Sequence, residues 1–111
     1  LVSGADDVEQ SIRIILGTRP GERVMRPNFG CRAQELLFEP RSAATASLMQ
    51  EYIHQALRMW EPRIEVRSVN VNFDDANPSA LLAEIEYSIK ATHDTRSIVY
   101  PFYIEDEQEV I

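Results

Sequence analysis

Leu81-Leu82-Ala83-Glu84-Ile85-Glu86-Tyr87-Ser88-Ile89-Lys90-Ala91 places Leu81, Ala83, Ile85, Tyr87, Ile89 and Ala91 on one face, with Leu82, Glu84, Glu86, Ser88 and Lys90 on the other. A period of two marks a strand with one buried face, and such strands belong to antiparallel sheets. Upstream, Ile64 and Val66 alternate, and so do Val69, Val71 and Phe73. The phase slips between the two runs, and a bulge near Arg67-Ser68 would restore a single buried face. Residues 74–79 form a loop by composition. Downstream, Thr92-His93-Asp94-Thr95 turns the chain into a last strand of Ile98, Tyr100, Phe102 and Ile104, with Val99, Pro101 and Tyr103 opposite. Pro101 has no N–H for a ladder, so this strand is expected at an edge or with a bulge. The acidic residues 105–109 are expected to form a mobile tail.

Two helices precede the strands. Ala46, Met49, Ile53, Ala56, Leu57 and Trp60 recur with a period near 3.6. Ser42 is the expected cap and Pro62 the expected stop, giving a helix from about Ala43 to Trp60. A shorter helix carries Val8, Ile12, Ile15 and Leu16 on one stripe, capped by Asp6 or Asp7 and ended by Gly17. Ile14 lies off the stripe, which suggests cover on a second side. Between the helices, residues 17–41 are dense in Gly, Pro and Arg. Pro20-Gly21 is a turn pair, Pro27 and Gly30 bracket a bend, Glu22 to Met25 reads as a short strand, and Gln34 to Phe38 as one or two helical turns. Met25, Phe29, Leu36, Leu37 and Phe38 are expected to be buried, making an ordered connector. The expected fold is α+β: a three- to four-stranded antiparallel meander packed on one long helix, with a short N-terminal helix.

The 111 residues fit one domain, 1–111, and 44% are hydrophobic, enough for a core without a disulfide or metal staple. No apolar run approaches the ~18 residues of a membrane span. The chain begins at Leu1, so a trimmed N-terminus is expected, and no signal segment is visible. One cysteine, Cys31, leaves no internal disulfide or cysteine zinc site and suggests a reducing cytoplasm. The net charge of −7 argues against a nucleic-acid partner. The charge is segregated: residues 13–67 carry nine arginines against six glutamates, while residues 68–111 carry two basic residues against nine acids. Ten of the eleven basic residues are arginine, which suits carboxylate-gripping interfaces or plain surface ion pairs.

Catalytic patterns find little footing. His54 and His93 lie in a helix and a turn, apart from any nucleophile motif. Cys31 reads as a buried thiol. No metal-ligand spacing or phosphate loop is present, so no metal or cofactor is expected. Paired carboxylates would serve a glycosidase. Glu22, Glu39 and Glu61, however, each lie within two residues of an arginine, which lowers a carboxyl pKa when a general acid needs it raised.

Glu39-Pro40-Arg41 and Glu61-Pro62-Arg63 bracket the long helix. They read either as helix punctuation or as rigid corners whose Glu and Arg point outward to a partner. Ile12-Arg13-Ile14-Ile15-Leu16-Gly17-Thr18-Arg19-Pro20-Gly21-Glu22-Arg23-Val24-Met25-Arg26-Pro27-Asn28-Phe29-Gly30-Cys31, with Leu37-Phe38-Glu39-Pro40 and Trp60-Glu61-Pro62-Arg63-Ile64, closely resembles the signature of the phage tail baseplate wedge family. That family includes sheath-initiator subunits of type VI secretion and extracellular contractile injection systems. It has also been called lysozyme-like.

The resemblance implies a non-enzymatic subunit in six copies at the base of a sheath, built in the cytoplasm. It implies that Glu61, Pro62 and Arg63 bind wedge proteins. It also implies strand exchange with sheath protein, for which the edge strand supplies Ile98, Val99, Tyr100, Phe102 and Tyr103. Hub or inner-tube proteins are further candidate partners, with no nucleic acid and no membrane. Arg19, Glu22, Arg23, Arg26, Glu39 and Arg41 form a candidate loop interface. The competing reading is a small muramidase acting on peptidoglycan.

Overall fold

A computed structural model describes residues 4–23 and 25–104. Helix α1 runs Gly4–Gly17 and buries Val8, Ile12, Ile15 and Leu16. It begins before the expected caps: Asp6 and Asp7 lie inside the first turn, where carboxylates complement the positive end of the helix dipole. Ile14 is 46% exposed, so the second side of α1 is not covered within the described residues.

Helix α2 runs Ala43–Trp60 as its periodicity predicts. The Ser42 hydroxyl accepts the Thr45 N–H at 3.2 Å, satisfying one of the free donors of the first turn. Met49, Ile53, Ala56 and Leu57 form its buried stripe. Removing each large aliphatic side chain from water contributes roughly 1.5–3 kcal/mol.

Three strands follow: β1 Ile64–Phe73, β2 Ala80–Ile89 and β3 Thr95–Tyr103. They form an antiparallel meander in the order β1-β2-β3. The β1–β2 register slips between Val66 and Ser68, the bulge that the phase change required. Ile85 and Tyr87 of the central strand are fully buried under the helices. β3 is an edge strand and starts at Thr95, three residues before its first buried residue, Ile98. β2 ends at Ile89, two residues before the expected Ala91, because the Asp94 carbonyl takes the Ile89 N–H and His93 turns the chain with a positive φ of 63°. The tail from Glu105 lies outside the described residues.

The connector departs furthest from expectation. Glu22, Arg23 and Met25 form no strand; Val24 lies outside the described residues. Successive tight turns take the chain through it, with Glu22 N–H to Arg19 carbonyl at 3.1 Å and Phe29 N–H to Arg26 carbonyl at 3.1 Å. Two prolines and a glycine in eight residues leave no room for a ladder. Phe29 and Leu37 are buried and Leu36 partly so, but Met25 is 88% and Phe38 67% exposed, against the expected burial. The helical piece is a 3-10 turn over Arg32–Leu36, two residues earlier than expected.

Gly30 pins the connector to α1. Its φ is +130°, and the next N–H, of Cys31, bonds the Thr18 carbonyl at 2.8 Å. A Cβ at Gly30 would collide with that same carbonyl oxygen. Gly21 also has positive φ, but a Cβ there meets open space. Gly30→Ala is therefore expected to destabilise the fold by more than about 2 kcal/mol, and Gly21→Ala by about 1 kcal/mol, in urea unfolding.

Candidate functional site

The Glu-Pro-Arg corner after α2 is the most tightly bonded part of the surface. The Glu61 N–H closes the helix on the Leu57 carbonyl at 2.9 Å, and Pro62 ends it. Pro62 turns the chain so that Arg63 faces back on Glu61. Arg63 Nε donates to Glu61 Oε2 at 2.7 Å and Nη2 to Oε1 at 2.9 Å, a two-pronged pair. The Arg63 backbone N–H adds a third bond at 3.3 Å. Arg63 Nη1 reaches Asp7 of α1 at 2.8 Å. Glu61 is thus turned inward and 2% exposed, which corrects the outward-pointing arrangement; the Arg63 side chain remains 46% exposed.

Burial pushes the Glu61 carboxyl up, but hydrogen bonds from Arg63 and Ser11 outweigh it and hold the pKa below the ordinary carboxylate value. The Asp7 contact belongs to a side chain more than half in water and adds little. Glu39 and Arg41, the matching residues of the first Glu-Pro-Arg, are both exposed and not paired with each other; Arg41 lies over the Phe73 ring at 5.2 Å.

The two sheet edges differ. On β1, the outward N–H of Val71 bonds Gln50 Oε1 of α2 at 3.0 Å, so the helix takes one outward donor of that edge. On β3, the Ile104 N–H bonds the Ser79 carbonyl at 2.8 Å, which fixes the alternation of this strand. Ile98, Tyr100 and Phe102 therefore direct their backbone groups at β2. Ser97, Val99, Pro101 and Tyr103 direct theirs outward. Pro101 falls on the outward set, where its missing N–H costs β2 nothing. The side chains of Val99 and Tyr103 are exposed, while those of Ile98 and Phe102 are in the core and Tyr100 is half-buried.

In the connector, Glu22 Oε1 accepts the Arg19 N–H at 2.6 Å and Arg19 Nε donates to Gln34 at 2.8 Å, so both side chains hold the loop. Arg23 and Arg26 stack on the Phe29 ring at 5.0 and 4.9 Å, and Arg26 also covers Trp60 at 4.9 Å. Arg41 is separate from this cluster, at Phe73. Sequence patterning missed Gln50, whose role appears only once α2 lies along β1. It also missed Tyr52 and Met59, which fall off the buried stripe of α2.

Cys31 Sγ accepts the Ala33 N–H at 3.5 Å and donates to the Tyr52 carbonyl at 3.8 Å. Burial pushes its thiol up to about 11. His54 contacts Arg58 instead, at 3.3 Å, and His93 sits in an exposed turn. Among the described residues no cluster of metal ligands and no helix fit to cross a membrane is found.

The family described as Baseplate wedge protein gp25 matches residues 2–94, and the chain belongs to that family. It is 36% identical over 88 residues to the Baseplate wedge protein gp25 of Enterobacteria phage T4, covering 78% of this chain and 64% of that protein. It is 32% identical over 68 residues to Baseplate protein W of Escherichia phage P2, covering 61% of this chain and 59% of that protein. The matches thus span less than two thirds of these relatives. Among solved structures, a Geobacter sulfurreducens protein described as a candidate tail lysozyme superposes with a TM-score of 0.89, at 43% identity over 96% of both chains. A chain of a type VI secretion baseplate complex shares the fold, with a TM-score of 0.72 at 19% identity over 90% of this chain and 93% of that one.

The Glu61 pKa is lowered, so its stabilisation is complete above the ordinary carboxylate value and is lost as pH falls through the lower folded value. Glu61→Gln is expected to cost about 1–3 kcal/mol at neutral pH, below the loss for a wholly buried pair because Arg63 is half in water. It should also flatten the acid limb of a stability-versus-pH curve. Cys31 is expected to resist a thiol reagent at pH 8 and to react fully in denaturant, measured by absorbance.

Proposed function

We propose that this chain is a non-enzymatic baseplate subunit of a contractile tail or injection particle. It joins the wedge complex to the first sheath ring and templates sheath growth by strand pairing along β3. Membership of the baseplate wedge family supports the setting. The observation that supports the mechanism is a difference between the sheet edges: Gln50 of α2 takes the outward Val71 N–H of β1, while the outward groups of Ser97, Val99 and Tyr103 on β3 are unpaired among the described residues. An incoming strand would add to that edge by β-augmentation, with Val99 and Tyr103 as exposed apolar contacts.

Glu61-Pro62-Arg63 would form the wedge-facing corner, its geometry set internally so that the free edge of Arg63 is presented rigidly. The expected setting is six copies around the tube, assembled in the cytoplasm with wedge and sheath proteins and in reach of hub or inner-tube proteins.

The description of the Geobacter relative motivates the muramidase alternative. The chemistry of Glu61 speaks against it. A glycosidase acid must keep its proton near neutrality, whereas Glu61, the buried carboxyl among the described residues, is held ionised by Arg63.

The test is a seeding assay. Wedge complex and sheath protein are mixed with and without the chain, and ordered tubes are counted by electron microscopy. Sheath is expected only with the chain present. Val99→Pro removes an outward N–H and leaves the β2 ladder intact, so it should abolish seeding with little change in unfolding midpoint; Val99→Thr should seed normally. Equal sheath growth without the chain would refute templating. Peptidoglycan release by the wild type that Glu61→Gln abolishes would restore the muramidase.

A further inference from the structure

A shallow groove of about 290 Å3 lies beside the C-terminal half of α2, between that helix and the connector. Ala56, Met59 and Trp60 supply its apolar lining, and no carboxylate lines it. Met59, in the last turn of α2, is 66% exposed there. Arg32 lines the groove with its guanidinium over Tyr52 at 4.5 Å, and Arg26, outside the lining, lies over the ring of Trp60 at 4.9 Å. Tyr52 and Trp60 are eight residues apart, on the order of 12 Å along a helix.

These cations are held in place but underused. Arg26 makes its ring contacts and, among the described residues, no ion pair with a carboxylate. Arg23 beside it is the same. Arg32 meets only Glu35, at 3.4 Å and in solvent, a pairing worth little. Stacking fixes a guanidinium plane and leaves its N–H edge free to take a carboxylate in two-pronged fashion. Exposed Met, aromatic rings and Arg together, with acids absent, have the composition of a buried interface centre.

We propose that this groove docks an acidic amphipathic segment of a partner protein: apolar side chains over Met59 and Ala56, with flanking carboxylates on Arg26 and Arg32. The apolar floor requires more than a bare anion. The inference uses neither β3 nor Arg63, so it stands or falls separately from sheath seeding.

The full chain is titrated calorimetrically with a synthetic helical peptide carrying leucines on one face and two glutamates about two turns apart. Saturable binding is expected, weakened by added salt, about tenfold by Arg26→Ala or Arg32→Ala, and abolished by Met59→Asp. The same peptide with glutamine for glutamate should bind at least as weakly as the wild-type peptide does to the arginine variants. All three positions are exposed, so circular dichroism should show each variant folded. No binding at millimolar peptide, equal binding of the glutamine peptide, or indifference to the variants would overturn the proposal. So would full competition by tripolyphosphate, which marks a bare anion site. Self-association abolished by Met59→Asp would assign the groove to a second copy of the chain instead, and also overturn it.

Discussion

Glu61 caps the end of α2, bonds Ser11 of α1 and lies three residues before β1, so one carboxylate sits where three elements meet. A charge taken out of water at such a place must be fully compensated, or the junction fails. Arg63 supplies two bonds to it from only two residues away, and Pro62 holds the turn that makes such a short loop close. Ser11 contributes from α1, and Arg63 passes a further bond to Asp7. The ion pair formed within one tripeptide therefore keeps a buried charge satisfied at the junction of both helices and the sheet. The same bonds that fix the junction also make it a poor acid catalyst, because the hydrogen bonds from Arg63 and Ser11 outweigh burial and favour the ionised form.

Arginine is used in two distinct ways in this chain. At Arg63 it satisfies a buried charge. At Arg23, Arg26, Arg32 and Arg41 it lies over an aromatic ring, covering apolar surface that would otherwise face water. The second use lets a connector made almost entirely of turns keep a fixed shape. Phe29 packs edge-on against Trp60 at 5.2 Å, and the arginines close over the pair. Lysine could not replace them, since it has no plane to stack.

The fold was legible wherever periodicity ran long enough. The stripe from Ala46 to Trp60 located α2, and Ser42 and Pro62 marked its ends. The alternation from Leu81 located β2, and the broken phase after Val66 located the bulge. Caps and connector were less legible. Asp6 and Asp7 favour a cap and a first turn almost equally, so they could not say which. Met25 and Phe38 are apolar, and hydropathy alone assigns them to a core that has no room for them. The site divides in the same way. Glu61-Pro62-Arg63 stood out by its repetition, but the inward aim of Glu61 depends on α1 lying above it. The asymmetry of the sheet edges depends on Gln50, a residue with no pattern of its own.

An antiparallel sheet with both margins free has no built-in limit: each added strand offers a new margin, and growth continues until something stops it. Here Gln50 of α2 takes the outward Val71 N–H of one margin, a donor that a neighbouring strand there would need. Pro101 narrows the other margin, because along β3 one of four successive outward residues can accept but not donate. A visiting strand would therefore leave one acceptor unmatched or arrive in a register that avoids the gap. A strand pairing with that margin would thus be constrained in register as well as in kind.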